Sequence, residues 1–264
     1  MKVRIDKLLV ERGLASSRER AQALVLAGRV LVNAQKIEKA GAGVEQDAEI
    51  RLLGEDLKYV GRGGLKLEAA LKNWNIDLHG RTCMDVGAST GGFTDCMLQH
   101  GASEVIAIDT GYGQIAARLR SDPRVKLLEK TNARYLTSDA VIQAQAGTGP
   151  VGAGNPVSFI AIDVSFISVT LVLPAVLESA LGAGRGSVTD QARRELVVLI
   201  KPQFEAGREH VGKGGIVKDE QAQQGAVLKV RQKVEELGGR NIELMDSPIL
   251  GAEGNREFLL HAEF

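Results

Sequence analysis

Met84-Asp85-Val86-Gly87-Ala88-Ser89-Thr90-Gly91-Gly92-Phe93 decides how this chain folds. Its first residues finish an apolar run, 82–87, that reads as a strand. Its last residues open a helix. Glycine in such a turn lets the backbone come close to a ligand. The spacing G-x-x-x-G-G matches neither the dinucleotide loop G-x-G-x-x-G nor a P-loop, which needs G-K-[ST]. In open α/β sheets, ligands bind at the carboxyl ends of strands, beside a crossover of this kind.

Outward from this loop, strand-like and helical segments alternate from about residue 66. Strands are predicted at 82–87, 104–109, 125–129, 157–163 and 195–201. A polar helix over 219–237 stops at Gly238-Gly239, and final strands near 241–245 and 256–262 close the sheet. The pattern predicts a doubly wound α/β domain, its sheet mostly parallel with the last strand antiparallel. Two Gly-rich segments without periodicity, 144–156 and 182–190, read as surface insertions. Asp109 ends the second strand about 20 residues past the loop, where an acid can accept hydrogen bonds from both hydroxyls of a ribose. Asn132 follows the third strand, placed to meet an adenine edge. Asp85 is expected at the first strand end, near the loop amides.

The N-terminal part has another texture. Ile5, Leu8 and Leu9 fall at helical spacing before Gly13, and Ser16 with Glu19 fits a capping box opening a second helix. Ala21, Leu24 and Val25 form one face of that helix, and 29–33 and 48–53 read as short strands. Residues 1–36 carry a net charge of +5 against −5 for the rest, although the 264-residue chain is neutral overall. A basic segment on an acidic remainder points to nucleic acid. Residues 57–65, with three glycines, read as a linker or hinge.

Composition narrows the classes further. Hydrophobic residues make up 44% and charged residues 25%, which excludes a disordered chain. No apolar run approaches the roughly 18 residues of a membrane span. No signal peptide is visible, and Cys83 and Cys96 give neither a disulfide framework nor a metal-ligand spacing, so a cytoplasmic protein without a metal is expected.

The N-terminal residues Arg4-Ile5-Asp6, Ser17-Arg18, Ala21, Gly28 and Val30-Leu31-Val32-Asn33 resemble the S4-type RNA-binding domain, with Ala34 where that pattern has glycine. The loop with Asp109 and Asn132 resembles class I S-adenosylmethionine methyltransferases, a Rossmann-like fold. The longer strings GASTGGFTD (87–95), DTGYGQ (109–114), KTNAR (130–134), DVSFIS (163–168) and KPQFE (201–205) resemble the TlyA family, also called hemolysin A-like. That family joins an S4 domain to an FtsJ-like RNA methyltransferase. The resemblance implies an S4 domain at 1–58, a linker at 59–65 and a methyltransferase domain at 66–264. The chain ends directly after its last strand, like the shorter subtype that the family pattern links to large-subunit ribosomal RNA.

FtsJ-type enzymes use a Lys-Asp-Lys-Glu tetrad, and the matching positions are Lys66, Asp163, Lys201 and Glu257. A ribose 2′-hydroxyl is a poor nucleophile, and a lysine beside it can take its proton or stabilise the alkoxide. Lys201 is assigned that role, Asp163 orients it, and Lys66 with Glu257 holds the ribose and the lysine network. The expected cofactor is S-adenosylmethionine, bound by Asp85, Gly87, Ala88, Ser89, Gly91, Gly92, Phe93, Asp109 and Asn132. The expected RNA contacts are Arg4, Lys7, Arg18, Arg20, Arg29 and Arg62, with a further loop, 207–218, beside Lys201. The expected partner is ribosomal RNA or a ribosomal subunit, with no membrane and no obligate protein partner.

Rival chemistries lack their residues. Amino-methylation needs a D/N-P-P-Y type loop where this chain has Asp163-Val164-Ser165-Phe166. Carbon-5 pyrimidine methylation needs a cysteine nucleophile near the fourth or fifth strand. These absences favour the ribose oxygen, and together with the resemblance they imply 2′-O-methylation of a cytidine in ribosomal RNA. The alternatives are a membrane-active cytolysin, which needs an apolar span or an amphipathic basic helix, and a non-catalytic RNA-binding protein.

Overall fold

The structure, a computed structural model, describes residues 2–15, 17–53, 58–146, 155–182, 194–251 and 254–264. Residues 147–154 and 183–190 of the two expected Gly-rich insertions lie outside these residues. The chain divides into two units, Met1–Leu57 and Lys58–Phe264.

In the first unit, β1 (Lys2–Arg4) leads into α1 (Ile5–Glu11), and α2 (Arg18–Leu26) packs against α1. The strands β2 (Val30–Val32), β3 (Gln35–Lys36), β4 (Gly43–Glu45) and β5 (Ile50–Leu52) follow. They form a three-stranded sheet in the order β3-β2-β5 and a separate pair, β1-β4. Ile5, Leu8 and Leu9 of α1 meet Ala21, Leu24 and Val25 of α2 over Val30, which is the core that the helical spacing predicts. The cap of α2 differs from expectation: Ser17, not Ser16, accepts the hydrogen bond from Arg20 N at 3.2 Å. Adjacent serines carry the same capping chemistry, and Ser16 lies outside the described residues. Asn33 and Ala34 turn β2 into β3 with φ of 49° and 65°. A two-residue hairpin turn demands that conformation, which explains why the S4 pattern favours glycine where this chain has alanine.

The second unit begins with α3 (Gly63–Asn73), then β6 (Thr82–Val86), α4 (Gly92–Gln99), β7 (Glu104–Ile108), α5 (Ala117–Arg120), β8 (Val125–Leu128) and α6 (Ser138–Ala146). It continues with β9 (Val157–Ile162), α7 (Leu173–Gly182), β10 (Glu195–Ile200), α8 (Pro202–Glu205), α9 (Glu220–Glu236), β11 (Arg240–Asp246) and β12 (Phe258–Glu263). The seven strands lie in the order β11-β12-β10-β9-β6-β7-β8. Strands β6 to β10 are mutually parallel, and β12 runs antiparallel to β10 and to β11. This is a Rossmann-like, mostly parallel methyltransferase-type sheet, as the alternation predicts.

Alternate side chains of these strands feed two cores, as a sheet covered on both faces requires. Met84, Ile106, Ile160 and Val198 face one layer, built by α6, α7 and α9. Cys83, Val105, Phe159 and Val197 face the other, built by α3, α4 and α5. The strand order reverses between β9 and β6, so the crevice of the sheet opens at the loop 87–92.

The expected linker over 59–65 belongs instead to the second unit. Tyr59 is 2% exposed, Val60 N donates to Asp95 Oδ2 at 2.8 Å, and α3 has begun by Gly63. The glycines signal a hinge, but the buried tyrosine and the Asp95 contact fix this stretch to α3 and α4.

Candidate active site

Every parallel strand ends at the same edge, so the residue that follows each strand enters a common crevice. After β6 the chain turns at Gly87 with φ +89°. A Cβ there would stand 2.3 Å from the Asp163 carbonyl oxygen, so both the left-handed backbone and the close approach of the next strand's loop demand glycine. After β7, Asp109 ties the loop down: Oδ2 accepts from Ser89 N at 2.8 Å and Oδ1 from Gly111 N at 2.6 Å. A carboxylate has about four acceptor positions, so capacity remains for a ligand. After β8, Asn132 Oδ1 accepts from Arg134 N at 3.0 Å, leaving its Nδ2 group as a donor. Gly87, Ser89, Asp109, Asn132 and Asp163 line a cavity of about 300 Å³, within the range of small-ligand sites.

The other residues expected around this loop do not line that cavity. Ala88, Gly91 and Gly92 form the turn beneath it, and Phe93 is buried among α3 and α4 side chains. Asp85 is fully buried below the loop, with Thr94 Oγ1 donating to its Oδ2 at 2.5 Å. Burial pushes its carboxyl from the ordinary 3.8 up to about 7, with the neighbouring Asp163 and Asp109 adding to the rise.

That shift has a consequence for stability. A carboxyl whose folded pKa is raised favours the fold fully below about pH 4, and the contribution is lost as pH rises through 7. Above pH 7 the buried charge costs up to about 4 kcal/mol. Asp85→Asn is therefore expected to melt above the wild type at pH 8 and to converge with it toward pH 4. Thermal unfolding across that range checks this; a difference that does not change with pH would refute the assignment.

A second cavity, of about 680 Å³, is lined by Arg62, Lys66, Asp163, Lys201 and Glu257 among others. It shares Ser89, Asp163, Ser165 and Phe166 with the first. Lys201 follows β10 directly and Pro202 starts α8, so the lysine stays at the strand end. Its Nζ lies 2.5 Å from Asp163 Oδ1 and donates to Ser165 Oγ at 2.8 Å. Glu257 arrives from the opposite direction. Ile200 pairs with Phe258 across the antiparallel β10-β12 ladder, and this register sets Glu257 beside Lys201's end of the sheet. Glu257, buried, pairs with Lys66 of α3, also buried. Gly251 leaves room for it, since a Cβ there would stand 2.0 Å from Glu257 Oε1. The four residues of the expected tetrad thus meet in one cavity as two lysine–carboxylate pairs.

Three residues here have no counterpart in the sequence reading. Ser165 touches Lys201. Phe166 is 92% exposed at φ +64°, with its ring 5.4 Å from that of Phe204. Glu205 is buried, accepting from Ser168 Oγ at 2.5 Å and Val169 N at 2.6 Å, and so fastens the loop after β9 to α8. All three stood in quoted strings, DVSFIS and KPQFE, so position was legible even where function was not.

Of the expected RNA contacts, Arg62 lines the larger cavity and has no ion-pair partner among the described residues. Arg4, Lys7, Arg18, Arg20 and Arg29 all belong to the first unit. Lys7 is exposed, Arg29 donates from Nε to Leu53 O at 2.8 Å, and Arg4 and Arg18 both bond to Asp6. In the loop 207–218, Gly214 and Gly215 line the larger cavity, while Arg208, Lys213 and Lys218 are exposed.

Residues 59–264 match the FtsJ-like methyltransferase family and residues 3–50 match the S4 domain. The chain belongs to the FtsJ-like methyltransferase family. Its S4 domain precedes the methyltransferase domain in sequence. The chain is 44% identical over 260 residues to YqxC of Bacillus subtilis, an rRNA methyltransferase candidate, covering 98% of this chain and 85% of YqxC. It is 40% identical over 260 residues to the 16S/23S rRNA (cytidine-2′-O)-methyltransferase TlyA of Mycobacterium tuberculosis, covering 98% of this chain and 89% of that protein. A solved Streptococcus thermophilus structure described as a hemolysin candidate is 40% identical, with a TM-score of 0.68 over 99% of this chain and 88% of that one.

FtsJ-like membership implies S-adenosylmethionine as methyl donor, and the smaller cavity fits it. Gly87 and Ser89 line it, Asp109 offers carboxylate acceptors suited to ribose hydroxyls, and Asn132 offers an amide donor suited to an adenine nitrogen.

Proposed function

We propose that this protein methylates the 2′-hydroxyl of a cytidine in ribosomal RNA of the large subunit. The observation that carries this reading is the pair of adjoining cavities, one suited to the cofactor and one holding Lys201–Asp163 beside Lys66–Glu257. When bound, S-adenosylmethionine would supply an electrophilic sulfonium methyl and a neutral thioether leaving group that keeps the electron pair of the broken carbon–sulfur bond. Gly87, Ser89, Asp109 and Asn132 hold its adenosine part, and Asp163 bounds both cavities.

The 2′-hydroxyl must lose its proton as the oxygen–carbon bond forms. Lys201 Nζ takes that proton or, as the ammonium, stabilises the developing alkoxide. Asp163 and Ser165 fix the lysine, which keeps the geometry that positioning demands. Lys66 and Glu257 hold the ribose from the other wall. Arg62 meets a substrate phosphate, and the exposed ring of Phe166 offers a face on which an unstacked base can lie.

The cytidine and the ribosomal target rest on the M. tuberculosis relative, whose name carries both. A ribosomal substrate places the enzyme in the cytoplasm. The cytolysin alternative calls for an apolar span or an amphipathic basic helix; no helix among the described residues is long and apolar enough to cross a membrane. Mapping 2′-O-methyl groups in ribosomal RNA from a strain lacking the gene tests the proposal. One cytidine of the large subunit should lose its methyl group and regain it on complementation; an unchanged methylation map would refute it.

A further inference from the structure

Asp6 is the second residue of α1 and is fully buried, with 0% of its surface exposed. Three side chains converge on it. Arg4 donates twice, from Nε to Oδ1 at 3.0 Å and from Nη2 to Oδ2 at 2.8 Å. Arg18 donates from Nε to Oδ2 at 3.0 Å, and Gln22 from Nε2 to Oδ2 at 3.0 Å. The Arg4 hydrogen bonds above all, then those of Gln22 and Arg18, hold the carboxyl well below the usual carboxylate range.

For stability alone, an apolar residue at this place would serve a small core as well or better, because a buried ion pair gains little over good packing. What the carboxylate provides is geometry. Arg4 comes from β1 and Arg18 from the first turn of α2, yet one buried group fixes both guanidinium planes. The two side chains remain 48% and 46% exposed. An arginine has five N–H donors. Arg4 commits two of its nitrogens to Asp6 and Arg18 only one, so both present unspent donors to solvent in a set orientation.

We infer that Asp6 is a positioning residue that holds Arg4 and Arg18 ready as a two-pronged clamp for RNA backbone phosphates. This rests on the reading of the first unit as the RNA-gripping part. It gives an expectation opposite to that of simple charge. Asp6→Asn removes a negative charge from the binding face, and long-range electrostatics alone would then tighten RNA binding. If Asp6 acts through the arginines, the same change weakens binding, because the RNA must now immobilise two long side chains itself.

The test uses the full chain with unmethylated ribosomal subunits from a strain lacking the gene. Asp6→Asn should raise the dissociation constant and the KM for subunits about tenfold, with kcat and S-adenosylmethionine affinity unchanged. In an Arg4→Ala/Arg18→Ala background it should have no further effect. Tighter binding by Asp6→Asn, or an equal loss in that background, overturns the proposal. If the arginine variants bind like the wild type, the RNA-gripping reading itself fails, and the proposal with it; if they bind weakly while Asp6→Asn binds normally, only the proposal fails. Nitrogen relaxation at the Nε of Arg4 and Arg18 in the free wild-type protein gives a measurement that needs no variant. Both sites should be as rigid as the backbone, and freely moving side chains would overturn the clamp.

Discussion

Lys201→Ala is expected to lower kcat for methyl transfer to ribosomal RNA about 10³-fold, the middle of the range for a group that handles a proton in the transition state. Its KM for RNA should change little, because the lysine lies at the inner wall of the larger cavity, bonded to Asp163 and Ser165. Affinity for S-adenosylmethionine, read by calorimetry, should persist, since Lys201 does not line the smaller cavity. Single-turnover transfer of a labelled methyl group separates these terms. Activity within about tenfold of wild type would remove Lys201 from the proton transfer and leave position alone to account for catalysis, which can supply roughly 7–11 kcal/mol.

Gly87→Ala is expected to destabilise the second unit by about 2–5 kcal/mol and to abolish cofactor binding. Two effects add. A side chain at φ +89° carries a conformational cost of about 1–2 kcal/mol. The new Cβ would also stand 2.3 Å from the Asp163 carbonyl oxygen and 2.8 Å from its carbon, both backbone atoms that a rotamer change cannot move. Forced overpacking of that kind costs about 1–3 kcal/mol or more. Gly80→Ala isolates the first effect. Its φ is +72°, and nothing lies within 4 Å of the added Cβ. It should cost about 1 kcal/mol and bind the cofactor normally. Equal melting shifts for the two variants would mean that the close approach of the loops after β6 and β9 is unimportant.

The sheet was legible because its signals are local. Each parallel strand is a short apolar run, and the expected runs end one residue past the observed strands, at residues such as Asp109, Asp163 and Lys201. The first functional residue beyond each strand was therefore identifiable from sequence. What stayed hidden depends on direction or distance. Asp85 and Asp109 both stand at strand ends, yet one faces the interior below the loop and the other faces the crevice; no spacing rule separates them. Phe166 carries no signal of its own within DVSFIS, and only the structure, with its left-handed backbone and exposed ring, sets it apart. Lys66 and Glu257 were joined only by resemblance to a known tetrad, because nothing in either local sequence points to the other. Asp6 looked like one acid among basic neighbours, and only its burial shows that it organises them.

The antiparallel β12 also bears on how the enzyme comes into being. Lys66 and Glu257 are separated by 191 positions. The residues that line the cofactor cavity end at Val172, whereas the lining of the hydroxyl cavity is completed only by Glu257. Domains fold as synthesis proceeds, so a nascent chain holds the parts of its donor pocket long before its acceptor pocket exists. Until β12 has been made and paired with β10, the growing polypeptide lacks one wall of the reaction chamber. On the function proposed above, a methyltransferase of ribosomal RNA thus stays chemically silent while a ribosome is still making it.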